Sequence, residues 1–207
     1  MRNRRLFLLM LIAVVLLFAM GCEKDGKIKI INRTSYPVYA GIKGDLYTIP
    51  SHSNLEKDIS TNTQGPFDSN VGKYVDVALA GETFQIWDAY LNSYVDRTFV
   101  WVNAGETTKI YVDPNRACVK IVNNTDRYIK RIIVQRNTLN STATDYYEVF
   151  LEPGGSWYKQ QNPSYTNNLI YYIVQVVFEN DEIYSYGGPG NYLFIDDEFL
   201  VTVEEPE

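Results

Sequence analysis

Ile28-Lys29-Ile30-Ile31-Asn32-Arg33-Thr34 returns 91 residues later as Val119-Lys120-Ile121-Val122-Asn123-Asn124-Thr125. Each copy alternates apolar and polar side chains and then runs into Asn and Thr. That is a half-buried strand stopped by turn chemistry, because these side chains hydrogen-bond nearby backbone groups and hold the turn. The match continues outward: Leu46-Tyr47-Thr48-Ile49-Pro50 answers Phe150-Leu151-Glu152-Pro153, and Val75-Asp76-Val77-Ala78-Leu79 answers Val174-Gln175-Val176-Val177-Phe178. The chain reads as two tandem copies of one β-domain, 27–114 and 117–207, each of single-domain size.

Pro37, lacking an N–H, predicts a second strand that starts there or lies at an edge. Pro50-Ser51-His52-Ser53 aligns with Pro153-Gly154-Gly155-Ser156 as a corner, placing Gly155 opposite His52. Residues 60–72 form a polar loop, and 73–80 alternate so that Val75, Val77 and Leu79 face a core. Gly81-Glu82 predicts a tight turn into a hairpin strand at 83–87. Residues 98–102 and 108–112 form a last pair, and the short linker Asp113-Pro114-Asn115-Arg116 predicts that the two units touch. The second unit carries about twelve extra residues before Tyr146, polar and loop-like. Its 170–178 segment is apolar enough for a central strand covered on both faces. Some seven short strands per unit with frequent turns give the fold class: all-β, two tandem Ig-like or transthyretin-like β-sandwiches.

Arg2, Arg4 and Arg5 precede an apolar run from Leu6 to Met20, the pattern of a secretory signal peptide at 1–21. Ala19-Met20-Gly21-Cys22 resembles a bacterial lipobox, although Ala19 stands where Leu is usual. The resemblance implies cleavage before Cys22, lipidation of its thiol, and a membrane partner reached through the acyl chains. Residues 22–26 are then a lipidated linker. Glu23 in place of Asp favours the outer over the inner membrane, with the face left open. The acidic residues after Cys22 are similar to those of Bacteroidota envelope lipoproteins.

Without residues 1–21 the chain keeps 16 basic against 25 acidic residues, a net charge of −9. Such a body repels phosphate backbones, so nucleic acid is not an expected partner. Cys118 has no intramolecular disulfide partner once Cys22 is lipidated, and it reads as a buried structural thiol. No P-loop, dinucleotide fingerprint, nucleophile elbow or HExxH motif occurs, and His52 is the single histidine. No catalytic residue, metal site or cofactor is therefore expected. Asp196-Asp197-Glu198 offers oxygen ligands to calcium but lacks the spacing of a known loop, and reads as an exposed turn.

Aromatic residues are the remaining signal. Seventeen tyrosines are present, and they cluster with Trp87, Tyr90 and Tyr94 in the first unit and as Tyr184, Tyr186 and Tyr192 in the second. Both clusters read as equivalent connections between repeated strands. Tyr and Trp suit binding surfaces because they offer large contact area at low entropic cost. The expected function is a non-enzymatic envelope module that binds a glycan or protein partner. The alternatives are a structural subunit of a surface or fimbria-like assembly and a two-carboxylate enzyme on envelope polysaccharide.

Overall fold

The computed structural model describes residues 25–61 and 72–205. The expected signal peptide, Cys22 and most of the polar loop at 60–72 lie outside the described residues. Among the described residues no helix is long and apolar enough to cross a membrane.

The first half contains β1 (Gly26–Asn32), β2 (Val38–Ile42), β3 (Asp45–Ile49), β4 (Asn54–Ile59), β5 (Gly72–Gly81), β6 (Ile86–Asp88), β7 (Ser93–Val95), β8 (Arg97–Asn103) and β9 (Thr107–Val112). The second contains β10 (Ala117–Asn123), β11 (Ile129–Asn137), β12 (Thr142–Leu151), β13 (Ser156–Gln161), β14 (Tyr171–Phe178), β15 (Ile183–Tyr192) and β16 (Glu198–Val203). Sheet orders β4-β1-β9 and β3-β2-β5-β8 in the first half become β13-β10-β16 and β12-β11-β14-β15 in the second. Each half is thus a sandwich of a three-stranded and a four-stranded sheet. Its first strand lies between the fourth and the last and runs parallel to the last. The immunoglobulin constant-type order would group the first, second, fifth and fourth strands. The observed order is not that one.

Strand alternation puts one apolar face of each sheet inward. Ile28 and Ile30 of one sheet meet Val38, Ala40, Val75, Val77 and Leu79 of the other in the first core. Val119, Ile121 and Val201 meet Ile132, Val134, Tyr172, Val174 and Val176 in the second. The repeated Asn explains the repeated turn. Asn32 Nδ2 donates to the carbonyls of Tyr36, Ile49 and Pro50 at 2.8, 3.1 and 3.0 Å, while its Oδ1 accepts from the N–H and hydroxyl of Thr34. Asn123 repeats the arrangement with Arg127, Leu151 and Thr125.

Several sequence expectations are corrected. Residues 83–87 form no hairpin with β5, whose neighbours are β2 and β8. β8 and β9 are not paired with each other: β8 joins β5, and β9 joins β1 in the opposite sheet, so 103–106 crosses between sheets. The second unit's insertion is ladder, not loop. β11 and β12 have nine and ten residues against five and five in β2 and β3, lengthening one hairpin. Corner register also shifts by one: Ser53 and Gly155 carbonyls accept from the two Asn backbones, so Gly154 is the counterpart of His52. Both adopt positive φ, 51° and 74°. β14 is central, but only one of its faces is fully buried.

The linker brings the sandwiches together, as its length predicts. Asn115 and Arg116 donate their backbone N–H groups to Thr83 O, and Gln160 Nε2 donates to Gly81 O at 2.7 Å. Asp196 is a staple rather than part of an exposed turn: its Oδ2 accepts from Ser35 N at 2.9 Å and its Oδ1 from the Thr83 hydroxyl at 2.6 Å.

Candidate functional site

Between β5 and β8 the first sandwich extrudes the two-stranded ribbon β6–β7, which has no counterpart in the second, where β14 and β15 are joined by a tight turn at 179–182. Trp87 pairs with Tyr94 across the ribbon, their rings edge to face at 4.9 Å. Aromatic pairs prefer that geometry because the positive edge of one ring meets the negative face of the other. Asp88 Oδ1 accepts from the N–H groups of Tyr90 and Leu91 at 2.8 and 3.0 Å, fixing the tip. The tip presents Tyr90 at 95% exposure.

The root of the ribbon is pinned by the linker. Asn115 Oδ1 accepts from Gln85 N and its Nδ2 donates to Gln85 O at 3.0 and 2.7 Å, a side chain imitating a neighbouring strand. The Arg116 guanidinium lies over the Tyr94 ring at 4.6 Å and donates to Asn162 Oδ1. Tyr94 also lines a cavity of about 410 Å³ with Leu79, Phe84, Asp96 and Gln160, so both sandwiches contribute to its walls.

Trp87, Tyr90 and Tyr94 therefore come together. Tyr184, Tyr186 and Tyr192 do not form a matching loop: they lie on β15, an edge strand. Tyr184 and Tyr186 are half-buried against the second core, since β15 alternates them inward opposite Val176 and Val174. The Tyr184 hydroxyl donates to Glu182 Oε1 and its ring meets Phe178 edge to face. Tyr192 stands apart at the end of the strand, lining a cavity of about 480 Å³ with Leu139, Leu169 and Tyr171.

Sequence reading missed two features. One is the outer face of β5 and β8, where Tyr74 packs edge to face on Trp101 at 4.8 Å with Phe99 alongside, 70% exposed. Their alternation with buried Val75 and half-buried Val100 was visible, but not that β8 and β5 are neighbours. The other is the seam. Cys118 points out of its sheet, away from the second core, and is buried by the first sandwich. Glu82 Oε1 accepts from Lys120 Nζ at 2.8 Å, and Lys120 also stands 3.6 Å from Glu198. Burial first, then the nearby Glu82, pushes Glu198 up to about 7. Burial and the same two carboxylates hold the Cys118 thiol far above its ordinary range. These facing carboxylates, Glu82 buried and Glu198 half-buried, sit in the seam between sandwiches rather than in the open groove that a two-carboxylate hydrolase needs.

No known family model matches the chain, and no curated protein matches it. Among solved structures it is similar to a candidate cell adhesion protein from Bacteroides ovatus ATCC 8483, with TM-score 0.36 and 10% identity over 88% of this chain and 92% of that one. A second candidate cell adhesion protein, from Bacteroides uniformis ATCC 8492, gives 0.35 and 9% over 86% and 91%. The major pilin of Streptococcus pyogenes gives 0.23 and 9% over 87% and 97%. Likenesses this distant carry no argument about function.

Proposed function

We propose that this chain is a lipid-anchored protein of the bacterial cell envelope, tethered by Cys22 and non-enzymatic, which binds a partner through the aromatic ribbon of its first sandwich. The observation that carries this reading is the convergence of Trp87, Tyr90 and Tyr94 on one ribbon with a capped tip and a pinned root. Preorganised aromatic faces bind without a large ordering cost, and they stack on the apolar faces of sugar rings or fill pockets of a protein. A glycan is the first partner. In this reading 27–114 and 117–207 are repeated domains with divided roles. The first carries the site, and the second supports it through Gln160 and, by way of Arg116 of the linker, Asn162. The anchor fits the outer membrane, as Glu23 suggests.

The test is a glycan array probed with the detergent-solubilised chain and with Tyr90→Ala/Tyr94→Ala. Binding lost in the variant, with an unchanged unfolding midpoint, supports the reading. Binding retained in the variant, or absent from the wild type, defeats it. Structural assembly is the second reading, favoured by β8: a seven-residue edge strand with outward Phe99 and Trp101 is suited to accept a partner's strand.

A further inference from the structure

Glu82, Cys118 and Glu198 each bring one potential ligand atom to a point in the seam where all three lie within 4.8 Å of one another. Glu82 comes from the first sandwich, while Cys118 and Glu198 are cross-strand partners on the outer face of the second. Cys118 is 0% exposed and Glu82 3%. Two carboxylates facing one ammonium, Lys120, leave one negative charge uncompensated in the seam, where the Glu82 and Glu198 side chains are 3% and 10% exposed. A buried charge must be paired, protonated or bound to metal. Oε2 of Glu82 is buried without a hydrogen-bond partner, and Oε2 of Glu198, also buried, has only the Lys120 ammonium at 3.6 Å, beyond hydrogen-bond distance.

We propose that Glu82, Cys118 and Glu198 form a binding site for a borderline-soft divalent cation of the zinc class, tying the two sandwiches together. Ligand chemistry selects the cation. A thiolate with two carboxylates suits zinc, whereas calcium takes six to eight oxygens and magnesium a near-ideal octahedron of oxygens. Charge balance also closes: one thiolate and two carboxylates are met by the divalent ion and Lys120. Ligand atoms around tetrahedral zinc sit about 3.5 Å apart, so small side-chain rotations close the present triangle. Three protein ligands leave the fourth position to water. Tyr36 and Tyr158 also face this cluster, with Asp196 and Asp197 near Tyr36. The tyrosines are neutral at ordinary pH, and Asp196 is engaged by Ser35 and Thr83.

The test uses the full chain in detergent, stripped with chelator and titrated with cadmium and then zinc ions. The expected result is one ion per chain and an ultraviolet thiolate-to-metal charge-transfer band that zinc displaces. A rise in the unfolding midpoint should accompany binding. Glu82→Gln should weaken binding at least ~10-fold, since even the groups that only orient ligands cost that much. Cys118→Ser should abolish the band, with circular dichroism checking that the variant folds. A band that survives in Cys118→Ser, or equal affinity in Glu82→Gln, would place the metal elsewhere and overturn the site. No band and no midpoint shift would also overturn it, leaving a proton as the fourth member of the cluster. None of these readouts depends on the ribbon or its ligand.

Discussion

Replacing Asn123 with Ala tests the physical cause of the repeat. Its side chain is 0% exposed and donates to the carbonyls of Arg127 and Leu151 at 2.8 and 3.1 Å. Oδ1 accepts from the N–H and hydroxyl of Thr125 at 3.2 and 2.7 Å. Ala removes all four bonds, and each buried group that finds no other partner is left stranded. Each buried polar group so stranded costs about 1–3 kcal/mol. A water entering the vacated space recovers part of that, so the net loss should be about 3–5 kcal/mol. For a unit of this size each kcal/mol moves the midpoint by about 4–8 °C, giving a fall of roughly 15 °C or more. The assay is urea unfolding followed by circular dichroism and by fluorescence, with Trp157 reporting the second sandwich, against whose core it packs. The neighbouring Asn124 meets only Glu204 at the surface, so Asn124→Ala should stay within about 0.5 kcal/mol of wild type. Asn123→Ala within about 1 kcal/mol of wild type, at an unchanged denaturant slope, would refute the idea that these asparagines peg the strands.

Gly187 sits at φ +84°, and an added Cβ would lie 2.5 Å from Tyr172 O. Gly187→Ala should therefore cost at least about 1–3 kcal/mol by the same urea assay. Asn115→Ala should cost about 1–2 kcal/mol, from two lost hydrogen bonds, and should speed amide exchange at 85–95 while sparing β5 and β8. The hydrogen bonds from Arg127 and then Tyr184 hold the Glu182 carboxyl below its ordinary range. Its contribution is full above the unfolded value near 4.5 and is lost as pH falls through the lower folded value. Stability measured from pH 6 down to 3 should accordingly drop less in Glu182→Gln than in wild type. An equal drop would show that the pair is idle.

How much of this was legible follows from what each inference needs. Strand positions need only local alternation, so Val75, Val77 and Leu79 fall inward as read. The turn role of Asn32 and Asn123 was legible from their type and place. That they also clasp a strand some 17 and 28 residues away was not, because no local pattern encodes the far partner. Pairing is non-local, which is why 98–102 and 108–112, adjacent in sequence, were joined when they belong to different sheets. The same blindness hid the seam: Cys118, Lys120 and Glu198 look like ordinary alternating positions until the first sandwich covers them. The ribbon aromatics were legible because they are contiguous. Their supposed match on β15 was not real, since Tyr184 and Tyr186 occupy the inward positions of a strand.

The repeat itself argues where specialised roles lie. Both sandwiches keep the same sheet order and the same asparagine pegs, so these features answer to folding alone. What differs between them is free of that duty. The first has the β6–β7 ribbon where the second has a tight turn, and the second has the long β11–β12 hairpin where the first has a short one. The ribbon is also tied to the linker and, through Arg116, to Asn162 of the second sandwich, and the chain places Glu82 four residues before it. Changes at the seam should therefore reach the ribbon more readily than changes in either core. Ligand affinity of the ribbon compared between Gln160→Ala, which loses only the bond to Gly81 O, and Asn123→Ala at a temperature where both are folded measures this. Equal effects would mean that the ribbon is indifferent to the second sandwich.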